Sequence, residues 1–242
     1  MENDFKYFRT NNGGRVHAAP AVDESWILTI WNRYVDSAKY GSVLVDLSET
    51  NPAGKAVIKV YVSRRRGNIP RRLKTSRAAH EGRGYLAFAR AGIPVVPLLF
   101  WGEKRHLALF EAGAVATLHM AADTVSEAFR KTADDKLLHR AAAALGAIHR
   151  AGLVHGDPRT RNFLVDGPRL TVIDLPSWSR FSRRSQRNDL MRFLGSAALL
   201  TGEIKKTETL LDIYVNKGRP LPVGRRKLLE MADRYRKEMR LP

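Results

Sequence analysis

Two β-branched apolar runs, VLVDL over Val43–Leu47 and AVIKVYV over Ala56–Val62, flank the turn signal Asn51-Pro52-Ala53-Gly54 and predict a pair of strands. From about Thr75 to Ala91 the pattern is helical, and Gly92 with Pro94 supplies the stop. Two further short strands follow, Val95–Phe100 and His106–Glu111, separated by Gly102-Glu103-Lys104. After Gly113 the texture changes. Leu137, Leu138, Ala141, Ala144, Leu145 and Ile148 recur at helical spacing behind a capping-box pattern at Thr132 and Asp135, and Gly152 ends the run. Phe163–Val165 and Leu170–Ile173 read as short strands about an Asp166-Gly167 turn, and three helical pieces follow from Arg187 onward, the last very basic.

This order predicts an α+β chain of two lobes. Residues 1–112 form a small, mostly β N-terminal lobe with one helix, and residues 113–242 a mostly helical C-terminal lobe. The changeover falls near Glu111–Gly113. A length of 242 residues is ample for a buried core, and 44% hydrophobic against 27% charged residues excludes a disordered chain. The absence of cysteine excludes a disulfide framework, a thiolate nucleophile and a Cys-based zinc site. MENDFKYFRT carries no secretory pattern, and the best uncharged run, Ala91–Gly102, is too short for a membrane span and holds two prolines. The expectation is a cytoplasmic protein, at most peripheral on the inner face of the cytoplasmic membrane.

Charge narrows the partners. Forty-two Lys and Arg against 24 Asp and Glu give +18 and a pI near 10.6. Such a field attracts polyanions, whether nucleic acid, an anionic membrane surface or a phosphorylated glycolipid.

The strongest chemical signal is HGDPRTRNFLV, His155–Val165, followed by TVIDLPS, Thr171–Ser177. An Asp and an Asn sit together on a loop after a helix, and a second Asp ends a short strand. Phosphoryl transfer needs such a set: one carboxylate to orient and deprotonate the attacking hydroxyl, and a carboxylate with an amide oxygen to hold Mg²⁺ against phosphates. Asp157 is the candidate base, Asn162 and Asp174 are the candidate metal ligands, and Arg159 is placed to neutralise charge on the transferring group.

These motifs, with LGAIHRAGLVHGD leading into them, resemble the catalytic and metal-binding loops of protein-kinase-like enzymes. The usual H-R-D is here His155-Gly156-Asp157, and D-F-G is Asp174-Leu175-Pro176. The H-G-D form without a long activation segment is similar to RIO-like kinases and to the lipopolysaccharide core (Kdo/heptose) kinases. The resemblance implies a bilobal protein-kinase-like fold, with ATP and Mg²⁺ (or Mn²⁺) as cofactors. It puts Lys59, in Ala56-Val57-Ile58-Lys59-Val60, in the V-A-I-K position that grips the α- and β-phosphates. A charge inside an apolar strand is costly unless partnered. Glu81, the only acidic residue between Glu49 and Glu103, is the expected partner. Glu111 resembles the hinge residue whose neighbouring backbone meets adenine. No G-x-G-x-x-G precedes Lys59: the corresponding stretch, Asp36–Ser42, has the single Gly41, so backbone cover of the phosphates is sparse.

Other patterns are set aside. Gly82-Arg83-Gly84-Tyr85-Leu86-Ala87 matches G-x-G-x-x-A but follows an Arg-rich segment rather than a strand, which argues against a dinucleotide site. Gly54-Lys55 lacks the upstream Gly of a P-loop, and the seven His show no metal-ligand spacing.

Acceptor choice rests on resemblance and charge together. KVYVSRRRGNIPRRLKTSRAAHEGRGYLAFARAGIPVVPLLFWGE and the tail Arg187–Val215 look like the corresponding parts of lipopolysaccharide kinases, with Asp189 expected to anchor the catalytic-loop backbone. Basic residues crowd near the motifs at Arg64–Arg66, Arg159, Arg161, Arg180, Arg183, Arg184 and Arg187, and the stretch after the first strand pair is itself Arg-rich (Arg64–Arg66, then Arg71, Arg72, Lys74 and Arg77). An anionic glycolipid or sugar-phosphate acceptor, with possible peripheral contact to an anionic membrane surface, is the first expectation. The alternatives are a RIO-like or tRNA-modification-associated protein kinase, with RNA or protein as its partner, and a pseudokinase that binds nucleic acid or membrane.

Overall fold

The computed structural model describes residues 5–37, 41–46 (as backbone), 55–63, 73 and 75–239. The turn expected at Asn51–Gly54 and the basic residues Arg64–Arg66, Arg71, Arg72 and Lys74 lie outside the described residues. The chain divides into two compact units. The first comprises residues 1–90 and 96–120, the second residues 91–95 and 121–242.

The first unit is built on a six-stranded antiparallel sheet. Its strands are β1 (Lys6–Arg9), β2 (Gly14–Ala18), β3 (Gly41–Asp46), β4 (Lys55–Val62), β5 (Leu98–His106) and β6 (Leu109–Leu118), in spatial order β1-β2-β5-β6-β4-β3. Because side chains alternate across a strand, β4 has two different faces. Ala56, Ile58 and Val60 point into one core together with Phe100 of β5 and Trp26, Ile27 and Ile30 of helix α1 (Glu24–Ile30). Val57, Lys59 and Tyr61 point the other way, toward helix α2 (Arg77–Arg90), which packs on that side of the sheet. Gly82 of α2 lies against the Trp101 ring so closely that no Cβ fits between them. That small residue sets the helix onto the sheet and fixes the height of its neighbour Glu81.

Two expectations about this unit change. Gly102-Glu103-Lys104 is strand interior, paired to Ala114, Gly113 and Ala112. Gly102 serves a close approach: a Cβ there would stand 2.7 Å from both the Arg15 carbonyl oxygen and the Trp31 ring. The hairpin turn falls instead at Leu107 and Ala108, both with positive φ (47° and 65°), the conformation of a two-residue primed turn. The strand therefore continues through Glu111–Gly113 to Leu118, and the units change over after Met120.

The second unit is mostly helical: α3 (Val125–Thr132), α4 (Asp135–Arg150), α5 (Arg183–Thr201), α6 (Glu208–Lys217) and α7 (Arg225–Glu238). The capping box lies one helix earlier than Thr132/Asp135. Thr124 and Glu127 form it at the start of α3, while α4 is capped by Asp134 and the Thr132 hydroxyl turns back to the Ala128 carbonyl. Leu138, Ala141, Ala142, Leu145 and Ile148 are fully buried on α4. Short strands β7 (Leu153–Val154), β8 (Phe163–Asp166), β9 (Arg169–Val172) and β10 (Ser179–Arg180) pair as β8–β9 and β7–β10. Residues 91–95 belong to this unit because the Val172 N–H donates to the Pro94 carbonyl (2.9 Å).

Candidate active site

In the first unit, the charge in the middle of β4 has its partner. Lys59 Nζ lies 2.8 Å from Glu81 Oε1 on α2, and the Tyr61 hydroxyl donates to Glu81 Oε2. The Glu81 side chain is 1% exposed and that of Lys59 25%, so the carboxylate is buried while the lysine side chain stays partly open to solvent. A buried carboxylate held by one cation and one hydroxyl positions its cation rather than adding much stability. Gly41 starts β3 opposite Val60, one register step from the Ser42–Lys59 pair. Glu111 does not end its strand: it lies just past the hairpin turn, where its carbonyl accepts from the Ser63 N–H (2.7 Å), away from the changeover after Met120.

In the second unit, the loop from His155 to Asn162 is fixed at nearly every residue. Asp189, fully buried on α5, accepts from the N–H of His155 (2.9 Å) and of Gly156 (3.0 Å), one with each carboxylate oxygen. Arg192, a turn later, donates to the Gly156 carbonyl. The Thr160 N–H donates to Ser196 Oγ (3.1 Å), which itself donates to the Phe193 carbonyl. One face of α5 thus holds the loop like a last. Gly156 has φ +87°, and a Cβ on it would run into the Ser177 carbonyl. The loop in this chain therefore needs glycine where the protein-kinase pattern has arginine.

On this loop, Asp157 Oδ2 accepts from Arg159 Nε (3.0 Å) and from a terminal guanidinium nitrogen. Asn162 Nδ2 donates to the Asp157 carbonyl oxygen (2.7 Å). With its nitrogen committed to the loop, the amide of Asn162 has its oxygen as the atom that could meet a cation. The Asn162 carbonyl accepts from the Ile173 N–H (3.1 Å), which brings the next residue, Asp174, beside it. Asp174 has φ +63°, a left-handed conformation that asparagine and aspartate tolerate better than most residues, and the following Leu175 is fully buried and anchors the turn. Asn162 and Asp174 are hard oxygen donors of the kind Mg²⁺ takes. Among the described residues no three His, Cys, Asp or Glu side chains could hold a metal by themselves. A cation at this pair would therefore draw further ligands from phosphate and water, as Mg²⁺ does beside nucleotides.

Burial controls His155. It is fully buried, and burial pushes its imidazole below the ordinary range against the opposing pull of Asp189, Asp157 and Asp174. The Asp157 N–H donates to its Nδ1 (3.3 Å). Arg159 is raised: burial works against its charge, but the hydrogen bond to Asp157 outweighs that. Behind Asp189 lies a buried chain of His149, Tyr214 and Gln186, with the Tyr214 phenol pushed up to about 12, chiefly by burial.

The model of the lipopolysaccharide kinase (Kdo/WaaP) family matches residues 33–214, most of the chain. The chain belongs to this family. Its fold is that of protein-kinase-like enzymes, and the family consists of phosphotransferases with a hydroxyl acceptor. Among solved structures, a complex of WaaP with acyl carrier protein shares the fold at a TM-score of 0.54 and 20% identity, over 98% of this chain and 89% of that one. A divergent kinase lacking the glycine-rich loop, which regulates membrane ultrastructure of the Toxoplasma parasitophorous vacuole, does so at 0.50 and 17%, over 86% and 84%. Among curated proteins, a probable bifunctional tRNA threonylcarbamoyladenosine biosynthesis protein of Haloquadratum walsbyi is 38% identical over 118 residues, 48% of this chain and 20% of that protein. Its counterpart in Methanosarcina mazei is 28% identical over 137 residues, 55% and 23%. The kinase thus covers only about a fifth of the length of these relatives.

Proposed function

We propose that this kinase transfers the γ-phosphoryl group of ATP to a hydroxyl of a lipopolysaccharide core sugar. The observation that carries the reading is the loop held on α5, with Asp157, Asn162 and Asp174 gathered on one short hydrogen-bonded stretch. Asp157 accepts the proton of the acceptor hydroxyl, and Arg159, already paired to it, turns to the developing charge of the phosphoryl group. Asn162 and Asp174 hold the Mg²⁺, which when bound neutralises phosphate charge. Lys59, steadied by Glu81, grips the α- and β-phosphates. The hinge role expected of Glu111 passes to the strand end at 118–120, next to the changeover.

Charge supports the anionic acceptor. Arg183 and Arg184 stand exposed in the first turn of α5, which has no acidic residue, and Arg187 follows one turn on. Cations are unfavourable at a helix N-terminus, so an anion bound there relieves both the dipole and the mutual repulsion. No helix among the described residues is long and apolar enough to cross a membrane, so contact with an anionic leaflet would be peripheral. Replacing Arg183, Arg184 and Arg187 by Gln should raise KM for the glycolipid and flatten its salt dependence, with KM for ATP little changed. A triple variant that phosphorylates the glycolipid normally contradicts the assignment.

The 38% identity to a tRNA threonylcarbamoyladenosine biosynthesis protein favours a second reading, a protein kinase acting beside RNA. Under that reading the label from ATP appears on protein, and RNA binding weakens steeply with salt.

A further inference from the structure

A cavity of about 350 Å³ lies in the first unit, on the α2 side of the sheet, lined by Arg15 and His17 of β2, Arg83 of α2, and Trp101, Glu103 and Arg105 of β5. Its aromatic wall is ordered: the His17 ring stacks on Trp101 at 4.1 Å and 11°, and the Arg83 guanidinium sits 5.8 Å over the Trp101 ring. The Trp101 indole N–H is buried, and among the described residues nothing accepts its hydrogen bond. Glu103 is the one carboxylate on the lining, and Arg105 holds it at 2.7 Å. Burial pushes the Glu103 carboxyl up, but hydrogen bonds from Arg105 and Ser76 outweigh this and keep it ionised. The charge of Arg83 also acts on Glu103 from farther off, but neither Arg83 nor Arg15 makes an ion pair with a carboxylate among the described residues. Three arginines face one spoken-for carboxylate, beside an aromatic face.

We propose that this cavity is a binding site for a phosphate monoester, separate from the nucleotide site, and that its occupancy braces α2. Arginine forks match phosphate oxygens two at a time, and a cavity of this volume also admits a sugar-sized group against the aromatic wall. Its grip would span two elements, Arg15 on the sheet and Arg83 on the helix. Arg83 lies two residues from Glu81 and next to the Gly82 that seats on Trp101, so an anion tying Arg83 to the sheet holds in place the helix that positions Lys59.

Calorimetric titration of the full chain tests this with glucose 6-phosphate as a soluble monoester, and with phosphatidylcholine vesicles with and without phosphatidic acid as a membrane-held one. Binding of either probe should weaken about tenfold for each of Arg15→Gln and Arg83→Gln, the usual scale of one charge-assisted contact, and should survive Lys59→Met. The arm that binds identifies the source. With the probe bound, ATP should bind several-fold tighter to the wild type and not to the Arg15→Gln/Arg83→Gln chain. Binding of neither probe, or binding lost in Lys59→Met but kept in the double variant, overturns the site. An ATP affinity indifferent to the bound probe overturns the bracing.

Discussion

Tyr214 Oη lies 2.7 Å from His149 Nδ1, and this contact fixes how the catalytic loop is held. Gln186 donates an amide N–H to the same phenol oxygen (2.8 Å), which leaves the phenol its own proton to place on His149 Nδ1, and the acceptor Asp189 on the far side of the ring suits that tautomer. His149 Nδ1 is then the acceptor, and Nε2 carries the hydrogen that faces Asp189 Oδ2 at 3.2 Å. Asp189 in turn receives the N–H groups of His155 and Gly156. Every member of this chain is buried.

Tyr214→Phe therefore removes the hydroxyl partner of His149 and one of the two acceptors of the Gln186 amide, which keeps the Pro220 carbonyl (2.9 Å). The expected result is a loss of about 1–3 kcal/mol in unfolding free energy, the cost of buried groups left unsatisfied. The rate of transfer should fall several-fold with KM for ATP unchanged, because the phenol acts through the loop. Denaturant unfolding and steady-state kinetics on one preparation check both. A variant with normal kcat and lowered stability would leave Tyr214 a packing residue only.

Gly156→Ala should be far more damaging than an alanine usually is. The left-handed backbone (φ +87°) disfavours any Cβ, and the Ser177 carbonyl occupies the space it would need. Strain at such a residue costs about 1–3 kcal/mol before the clash is counted. Thermal unfolding should show the loss, and transfer should drop with it. By contrast Gly152→Ala, also at positive φ (79°) but with open space around it, should cost the strain alone.

The parts of this fold that could be read in advance are those where chemistry and periodicity coincide. Lys59 was visible as a lone charge in a period-2 apolar strand, and Glu81 as the lone acid on the helix after it. Asp157, Asn162 and Asp174 were visible because their spacing matches a job. The first forty residues were opaque: β1 and β2 are short, and only Val16 and Ala18 of the second are fully apolar and buried. Gly102 misled because glycine marks close approach as well as turns, whereas Leu107 and Ala108 make a turn with no turn residue. Tyr214 entered only as the closing Tyr of the tail pattern, with no role attached, and Gln186 carried no signal, since their partners lie far away in sequence and only the packing of α4, α5 and α6 joins them.

Acid should destabilise the protein through His155. Its folded imidazole is held below the unfolded value of about 6.5. Between those two values the unfolded chain is protonated and the folded one is not, so the unfolded state binds more protons and stability rises with pH. The contribution is complete above about 6.5 and is lost as pH falls, at up to about 1.4 kcal/mol per pH unit. Urea midpoints measured from pH 8 down to pH 5 should stay level and then decline, and the decline should be shallower in His155→Gln. An identical slope in that variant would assign the effect to other groups.

Lys59→Met leaves the Glu81 carboxylate buried with only the Tyr61 hydroxyl, whereas Lys59→Met/Glu81→Gln removes the uncompensated charge. The single variant should therefore be the less stable of the two, by about 1–3 kcal/mol, although neither should bind ATP well. Unfolding midpoints of the wild type, both single variants and the double variant give the coupling directly. Additive losses would mean that the pair is not a unit.

The most direct test of the account is transfer of labelled γ-phosphate from ATP with Mg²⁺, offered lipopolysaccharide, total protein and RNA-bound fractions in parallel. The account predicts label on the lipopolysaccharide core, lost by well over tenfold in Asp157→Asn while that variant still binds ATP, since general-base catalysis is typically worth 10²–10⁴-fold. Label on protein alone, or an Asp157→Asn chain within about tenfold of wild type, would contradict it.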